Sequence, residues 1–320
     1  MACCNRWHRI AGLALLILGL AAHPLSGAAP KPLTHDGLLK FAPVFVLDGK
    51  EVVFSIHNVP NRVSLMRLNL TNGTQQLLYP SLTTHQFDAA FSKDGRYHCF
   101  AMSSTSPQMV LVIKDAKAGK SDSATVLQFG ENDVNPTPLN LYGAWIFKPQ
   151  GGRSTVRSPR FLPNQGRVVF TLSAPGGQQI ASVNLQGEDL KRLTQSAGTN
   201  CWASISPDGK RIAFSSSRDG SFRIYVMNAD GSNVHRLTDG SARDIRPAWS
   251  PDGKRIAFVS ARDGNCEIYV MDADGSNLKR LSNHSERDDY PTWHPDSRRL
   301  LTVSEREGRF DLYLWNVPEK

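Results

Sequence analysis

Two stretches of this chain concentrate side chains suited to recognition. SARDIRP (241–247) supplies Arg243, Asp244 and Arg246, and NHSERDDYP (283–291) supplies His284, Glu286, Arg287, Asp288, Asp289 and Tyr290. Two Arg-Asp-Gly copies add Arg218 and Arg262, and Trp202 stands 44 residues before Arg246 in an equivalent frame. Arginine offers a planar fork of donors and aromatics offer large rigid area, which makes both favoured interface anchors. The Arg-Asp-Gly copies suit turn fixing. The other positions change from copy to copy, which a purely structural role does not require.

Signals for an enzyme are weaker. The chain has no G-x-S-x-G nucleophile elbow. DADGSN (272–277) begins like a calcium loop but lacks the closing glutamate, so it reads as a hairpin turn. The formal net charge is +8 over 320 residues, with no basic run interleaved with aromatics, which disfavours a nucleic-acid partner.

These residues need elements to hold them. Arg246 to Leu281 reads as four short β-strands separated by Pro-Asp-Gly, Arg-Asp-Gly and Ala-Asp-Gly turns. The unit repeats. Ser206, Ser250 and His294 open matching Pro-Asp turns at steps of 44, and Leu162 lies 44 before Ser206. Ser92 and Val46 open two plainer copies, 46 residues apart, and the step from Ser92 to Leu162 is 70. Six copies of four strands at this period predict an all-β, six-bladed β-propeller of antiparallel blades. The sixth copy ends after three strands at DLYLWN (311–316). KPLTHDG (31–37) matches HRLTDGS (235–241), so Leu33-Thr34 is expected to supply the missing strand and close the ring. The residues before the six anchors (Phe45, Phe91, Phe161, Ile205, Trp249 and Trp293) read as packing wedges between blades.

The repeat P-x-W-S-P-D-G-K-R-I-A-F, then S-x-R-D-G, I-Y-V-M-x-A-D-G and R-L-T, resembles the TolB-like, or PD40, variety of WD40-like propeller. The resemblance covers roughly 33–317. It implies a non-catalytic, protein-binding scaffold of the bacterial cell envelope that needs no cofactor. That family's propeller docks a peptidoglycan-associated lipoprotein beside its channel, so an envelope protein such as an outer-membrane lipoprotein is the implied partner. TolB carries an α/β domain before its propeller, whereas here the blades begin soon after the N-terminus. The expected docking face comprises Trp202, Arg218, Arg243, Asp244, Arg246, Arg262, His284, Arg287, Asp288, Asp289 and Tyr290, joined by Tyr142 and Trp145. The alternative is a channel-mouth enzyme or small-ligand binder acting on a carbohydrate or peptide. His35, His85 and His284 in inter-blade loops would allow a metal there, although they lie 11, 7 and 10 residues before their anchors and form no matched set.

Residues 1–28 read as a secretory signal: Arg6 and Arg9, an apolar run over 10–22, and small residues at 26–28. Its removal would leave a periplasmic, monomeric protein of net charge +6 without a membrane span. Cys99, Cys201 and Cys266 remain, an odd number with no disulfide framework. The fourth strand of the second copy is expected at 125–129. Residues 130–158, with Pro136, Tyr142, Trp145 and Phe147, then form a long inter-blade loop.

Overall fold

The computed structural model describes residues 29–103, 108–118, 124–125, 141–142, 144–150, 154–174 and 176–318. Strands form wherever β-branched and aromatic runs are bounded by Asp-Gly or Asn-Gly turns. Ser250 shows how each copy turns its first corner. Its Oγ donates to Asp252 Oδ1 at 2.6 Å and accepts from Arg255 N at 2.9 Å, while Gly253 N donates to its carbonyl. Ser206 repeats this with Asp208, Arg211 and Gly209. Gly209 sits at φ 70°, and a Cβ there would lie 2.8 Å from the Pro163 carbonyl oxygen, so the turn needs glycine for conformation and for space.

The strands assemble into a six-bladed β-propeller of four-stranded antiparallel sheets. The innermost strands are Lys40–Val46, Gln86–Phe91, Thr155–Leu162, Asn200–Ile205, Asp244–Trp249 and Asp288–Trp293. Each contacts the next, and the ring closes between the first and the last. In blade five the inner strand starts at Asp244, three residues before the motif proline, so the charged stretch is itself strand. The last blade is completed by Lys31–Pro32, paired with Tyr313 and Leu314. Thr34 Oγ1 then accepts from Leu312 N at 3.0 Å, as Thr238 Oγ1 accepts from Ile224 N at 3.0 Å in blade four. The match between KPLTHDG and HRLTDGS is therefore a match of hydrogen bonds. Lys40, with a fully buried side chain, tightens the closure through Asp36, Asp311 and the Phe310 carbonyl.

The core lies between the blades. Six apolar clusters alternate around the ring, each built from two neighbouring blades and each holding one of the wedges Phe45, Phe91, Phe161, Ile205, Trp249 and Trp293. A fully buried phenylalanine stands in the second strand of blades one to five: Phe54, Phe100, Phe170, Phe214 and Phe258. Truncating one to alanine costs about 3–5 kcal/mol. Cys99 and Cys201 are buried and Cys266 half-buried, and none of the three forms a disulfide. Burial pushes the Cys201 thiol up to about 12, away from reactive thiolate character.

Blade two corrects one expectation. Its fourth strand is Ala144–Phe147, paired with Leu111–Lys114, rather than 125–129. Ala124–Thr125 pairs instead with Leu141–Tyr142 as a separate hairpin. The extra length in this copy therefore falls between the third and fourth strands, not between blades. Trp145 and Ile146 pair with Ile113 and Val112 and give this edge its apolar side chains. Residues 126–129 of the expected strand, 130–140, 143 and 151–153 of the expected loop, and the N-terminal 1–28 lie outside the described residues.

Candidate functional site

The inner strands share a kink that decides what faces the axis. Four residues before each anchor, the pairing register breaks and one residue adopts a left-handed backbone: Ala42, Asp88, Ser158, Trp202, Arg246 and Tyr290, all at φ between 44° and 57°. Such a bulge bends the strand and re-aims one side chain. A non-glycine residue in this region carries strain of about 1–3 kcal/mol, so something must fix it. In three blades the fixing group is a hydroxyl on the second strand of the preceding blade. Asp88 N donates to Ser55 Oγ, Trp202 N to Thr171 Oγ1 and Arg246 N to Ser215 Oγ, at 3.0–3.2 Å. Where that position is Ala101 or Val259, a carboxylate takes over. Ser158 N donates to Asp88 Oδ2 at 2.9 Å, and Tyr290 N to Asp289 Oδ1 at 2.7 Å.

Five of these six residues line one cavity of about 150 Å³ on the propeller axis, together with Arg160, Trp249 and Trp293. Arg246 is its centrepiece. Its guanidinium carbon lies 4.6 Å from the ring centre of Trp202 and 4.2 Å from that of Tyr290. Its Nη1 reaches Asp289 Oδ1 at 3.1 Å and its Nη2 the Tyr290 hydroxyl at 3.2 Å. Burial raises the Tyr290 phenol above its ordinary range, so it stays protonated beside the arginine. On the other side, Arg157 Nε donates to Asp88 Oδ2 at 2.6 Å and its guanidinium covers Phe87 at 4.5 Å. Burial alone would raise the Asp88 carboxyl, but Arg157 and Ser158 N outweigh it and hold it below the usual carboxylate range. Arg160 lies near Asp88, and burial lowers its guanidinium from the ordinary value.

The expected face divides. Trp202, Arg246, Asp289 and Tyr290 come together in the channel. Arg218, Asp244, Arg262 and Asp288 instead hold turns. Arg262 Nη2 donates to Asp244 Oδ1 at 3.1 Å, Arg306 Nη2 to Asp288 Oδ1 at 2.9 Å, and Arg218 Nη2 to Asn200 Oδ1 at 2.9 Å. Arg243 covers Phe222 at 5.8 Å, and Arg287 pairs with Glu305 at 3.1 Å beside Phe310. His284 accepts from Glu286 N through Nδ1. Trp145 is half-buried on the outer strand of blade two, away from the channel, and Tyr142 belongs to the separate hairpin. Among the described residues no three His, Cys, Asp or Glu side chains converge as a metal site would require, and His85 Nδ1 accepts from Val63 N. Sequence reasoning missed Arg157 and Asp88. One signal was available: five residues before each anchor the chain has Phe41, Phe87, Arg157, Cys201, Ile245 and Asp289, so a charge breaks the apolar rule twice.

Residues 151–245 match the family model described as the TolB beta propeller domain. Over those residues the chain is similar to that domain, within a fold that is a six-bladed β-propeller. Residues 228–319 match the model described as the Tricorn protease N-terminal beta propeller domain. No curated protein matches the chain. Among solved structures, a putative TolB from Agrobacterium tumefaciens superposes with a TM-score of 0.64 at 21% identity, covering 90% of this chain and 93% of that one. TolB from Acinetobacter baumannii gives 0.62 at 21% identity, covering 84% of this chain, which spans 64% of that one. Oligogalacturonate lyase from Vibrio parahaemolyticus gives 0.57 at 16% identity, covering 93% of this chain and 96% of that one. Such likenesses establish the shared β-propeller fold. What the blades do must come from the residues they carry.

Proposed function

We propose that this TolB-like propeller is an exported, non-catalytic scaffold of the cell envelope that docks another protein through the face where its inner strands begin. One observation carries the reading. Residues that keep the repeat hold turns, whereas those that break it gather around the channel as arginines stacked on aromatics. Trp202, Arg246 and Tyr290 form the centre. Arg243 and Arg287 provide cationic groups on the surrounding loops, each backed by a phenylalanine. Arginine and aromatic clusters of this kind anchor protein interfaces. A partner with an acidic, partly apolar surface fits them, and a periplasmic lipoprotein is the partner class the repeat type suggests. The protein acts as a monomer after removal of residues 1–28.

The test is capture from envelope extract by protein spanning 29–320, beside an Arg243→Glu, Arg287→Glu double variant. One protein retained by the first and lost by the second is the expected result. Retention of nothing, or retention that ignores both charge reversals, would overturn the reading. Mass spectrometry of protein recovered from the periplasm should find Ala29 at its N-terminus.

A further inference from the structure

Two buried N–H donors in the channel have no acceptor among the described residues: Arg246 Nε and Trp249 Nε1. Buried donors are normally paired, and each exception calls for an explanation. The contrast with the next blade is direct, because Trp293 Nε1 donates to the Ala248 carbonyl at 3.0 Å. Both orphan donors belong to residues lining the same cavity of about 150 Å³. A cavity of that size accommodates a molecule as large as benzene.

The charge on the walls is unbalanced in the same direction. Arg157 and Arg246 have carboxylate partners in Asp88 and Asp289. Arg160 makes no ion pair among the described residues and gives Nη1 to the Pro159 carbonyl at 2.8 Å. The channel thus offers spare donors and one uncompensated cation. A cation or a neutral apolar ligand leaves both unmet, whereas an anion with planar acceptor oxygens meets both.

We infer that the channel binds a small carboxylate of about ring size, its oxygens accepting from Arg246 Nε and Trp249 Nε1 and its apolar body lying against the aromatic and proline walls. Two sources share this chemistry, a free organic acid and the C-terminal residue of a peptide. The site shares Trp202, Arg246 and Tyr290 with the docking face, but Arg243 and Arg287 are not among the cavity's lining residues, so reversing those two charges tests docking without altering the channel.

Calorimetry and tryptophan fluorescence with the intact protein test this, because Trp202 and Trp249 line the site. The probes are benzoate, its neutral isostere benzamide, inorganic phosphate, and an acetylated tripeptide ending in phenylalanine, as free acid and as amide. Benzoate should saturate a single site and bind at least about tenfold tighter than benzamide, the loss expected when charge-assisted hydrogen bonds disappear. Trp249→Phe removes one donor while keeping an aromatic ring at the wedge and should weaken benzoate by about three- to tenfold. Arg246→Met should abolish measurable binding. If Arg246→Met does not fold, Trp249→Phe decides alone. A free-acid peptide that outbinds benzoate while its amide does not bind assigns a chain terminus; the reverse order assigns a free acid. No saturation at millimolar benzoate, equal binding of benzamide or phosphate, or unchanged affinity in Trp249→Phe would overturn the inference.

Discussion

Arg246 and Arg262 belong to the same blade and carry the same group, yet they are held in different ways. Arg262 opens the turn that follows the second strand, Arg255–Ser260. Its Nε donates to Ser260 Oγ, its Nη2 to Asp244, and its face covers Phe258 and Tyr269. Arg218 repeats the arrangement in blade four with Ser216, Asn200, Phe214 and Tyr225. Arg306 repeats its centre in blade six with Asp288 and Tyr313. Arg246 has no such counterparts: Trp202 and Tyr290 occupy its position in the adjoining blades and stack on it. A guanidinium that recurs clamps a turn to the start of the inner strand. One that occurs once at a recurrent position furnishes a site.

Breaking the clamp should have the largest effect. Asp244 is fully buried, and Asp244→Ala leaves Arg262 charged against two aromatic rings. Loss of one partner of a buried pair costs about 3–5 kcal/mol, and the low end applies because Arg262 retains partial access to water. Urea unfolding should show about 3 kcal/mol; a loss below about 1 kcal/mol would mean that the clamp is not what holds this turn. Arg246→Met should cost less, about 2 kcal/mol, because Asp289 keeps its bond from Tyr290 N and some exposure. The comparison fails if the two variants are equally destabilised.

The same distinction explains what could be read from sequence. The blade count, the turn residues, the wedges and the Thr34 closure were legible because repetition displays them several times. The clamps were legible as Arg-Asp-Gly turns, but their distant partners Asp244 and Asp288 looked like exposed loop charges. A strand that starts three residues early turned loop into buried strand. The bulge was not legible, since nothing in Ala42-Pro43 or Asp88-Ala89 announces a left-handed residue aimed at the axis. The fourth strand of blade two was misplaced for a related reason: a copy that departs from the period has no sister copy against which to align it.

Acid should separate the two classes of carboxylate. Burial raises the Asp288 carboxyl, with Arg306 acting against it and nearby Glu267 reinforcing it. Asp88 lies the other way, held low by Arg157 and Ser158 N against its burial. A depressed carboxyl contributes stability that is complete above its unfolded value of about 3.9 and is lost as pH falls through its folded value. A raised one weakens the fold when ionised and ceases to do so as pH falls through its folded value. Asp88→Asn should therefore cost about 1 kcal/mol at neutral pH and reduce the loss of melting temperature below pH 4. Asp288→Asn should leave that acid limb in place. If Asp288→Asn removes the acid limb and Asp88→Asn does not, the assignment of the two pairs is inverted.

The smallest effect tests the comparison most closely. Blade four already has an amide, Asn200, where blades five and six have Asp244 and Asp288, and Arg218 donates to Asn200 Oδ1 at 2.9 Å. The clamp therefore uses an oxygen in the right place more than a charge. In a buried site the Coulombic gain of a carboxylate is largely cancelled by the cost of taking it out of water. Asp244→Asn retains the oxygen and its bond from Arg262, so it should lie within about 1 kcal/mol of the parent, far from Asp244→Ala. At Asp289 the same change should matter more for function than for stability. Asparagine there still accepts from Tyr290 N, but it no longer neutralises Arg246. The added positive charge should tighten benzoate in the channel by about two- to fivefold without moving the melting temperature by more than a few degrees. Weaker benzoate binding in Asp289→Asn would show that the carboxylate positions Arg246 rather than competing with the ligand for it.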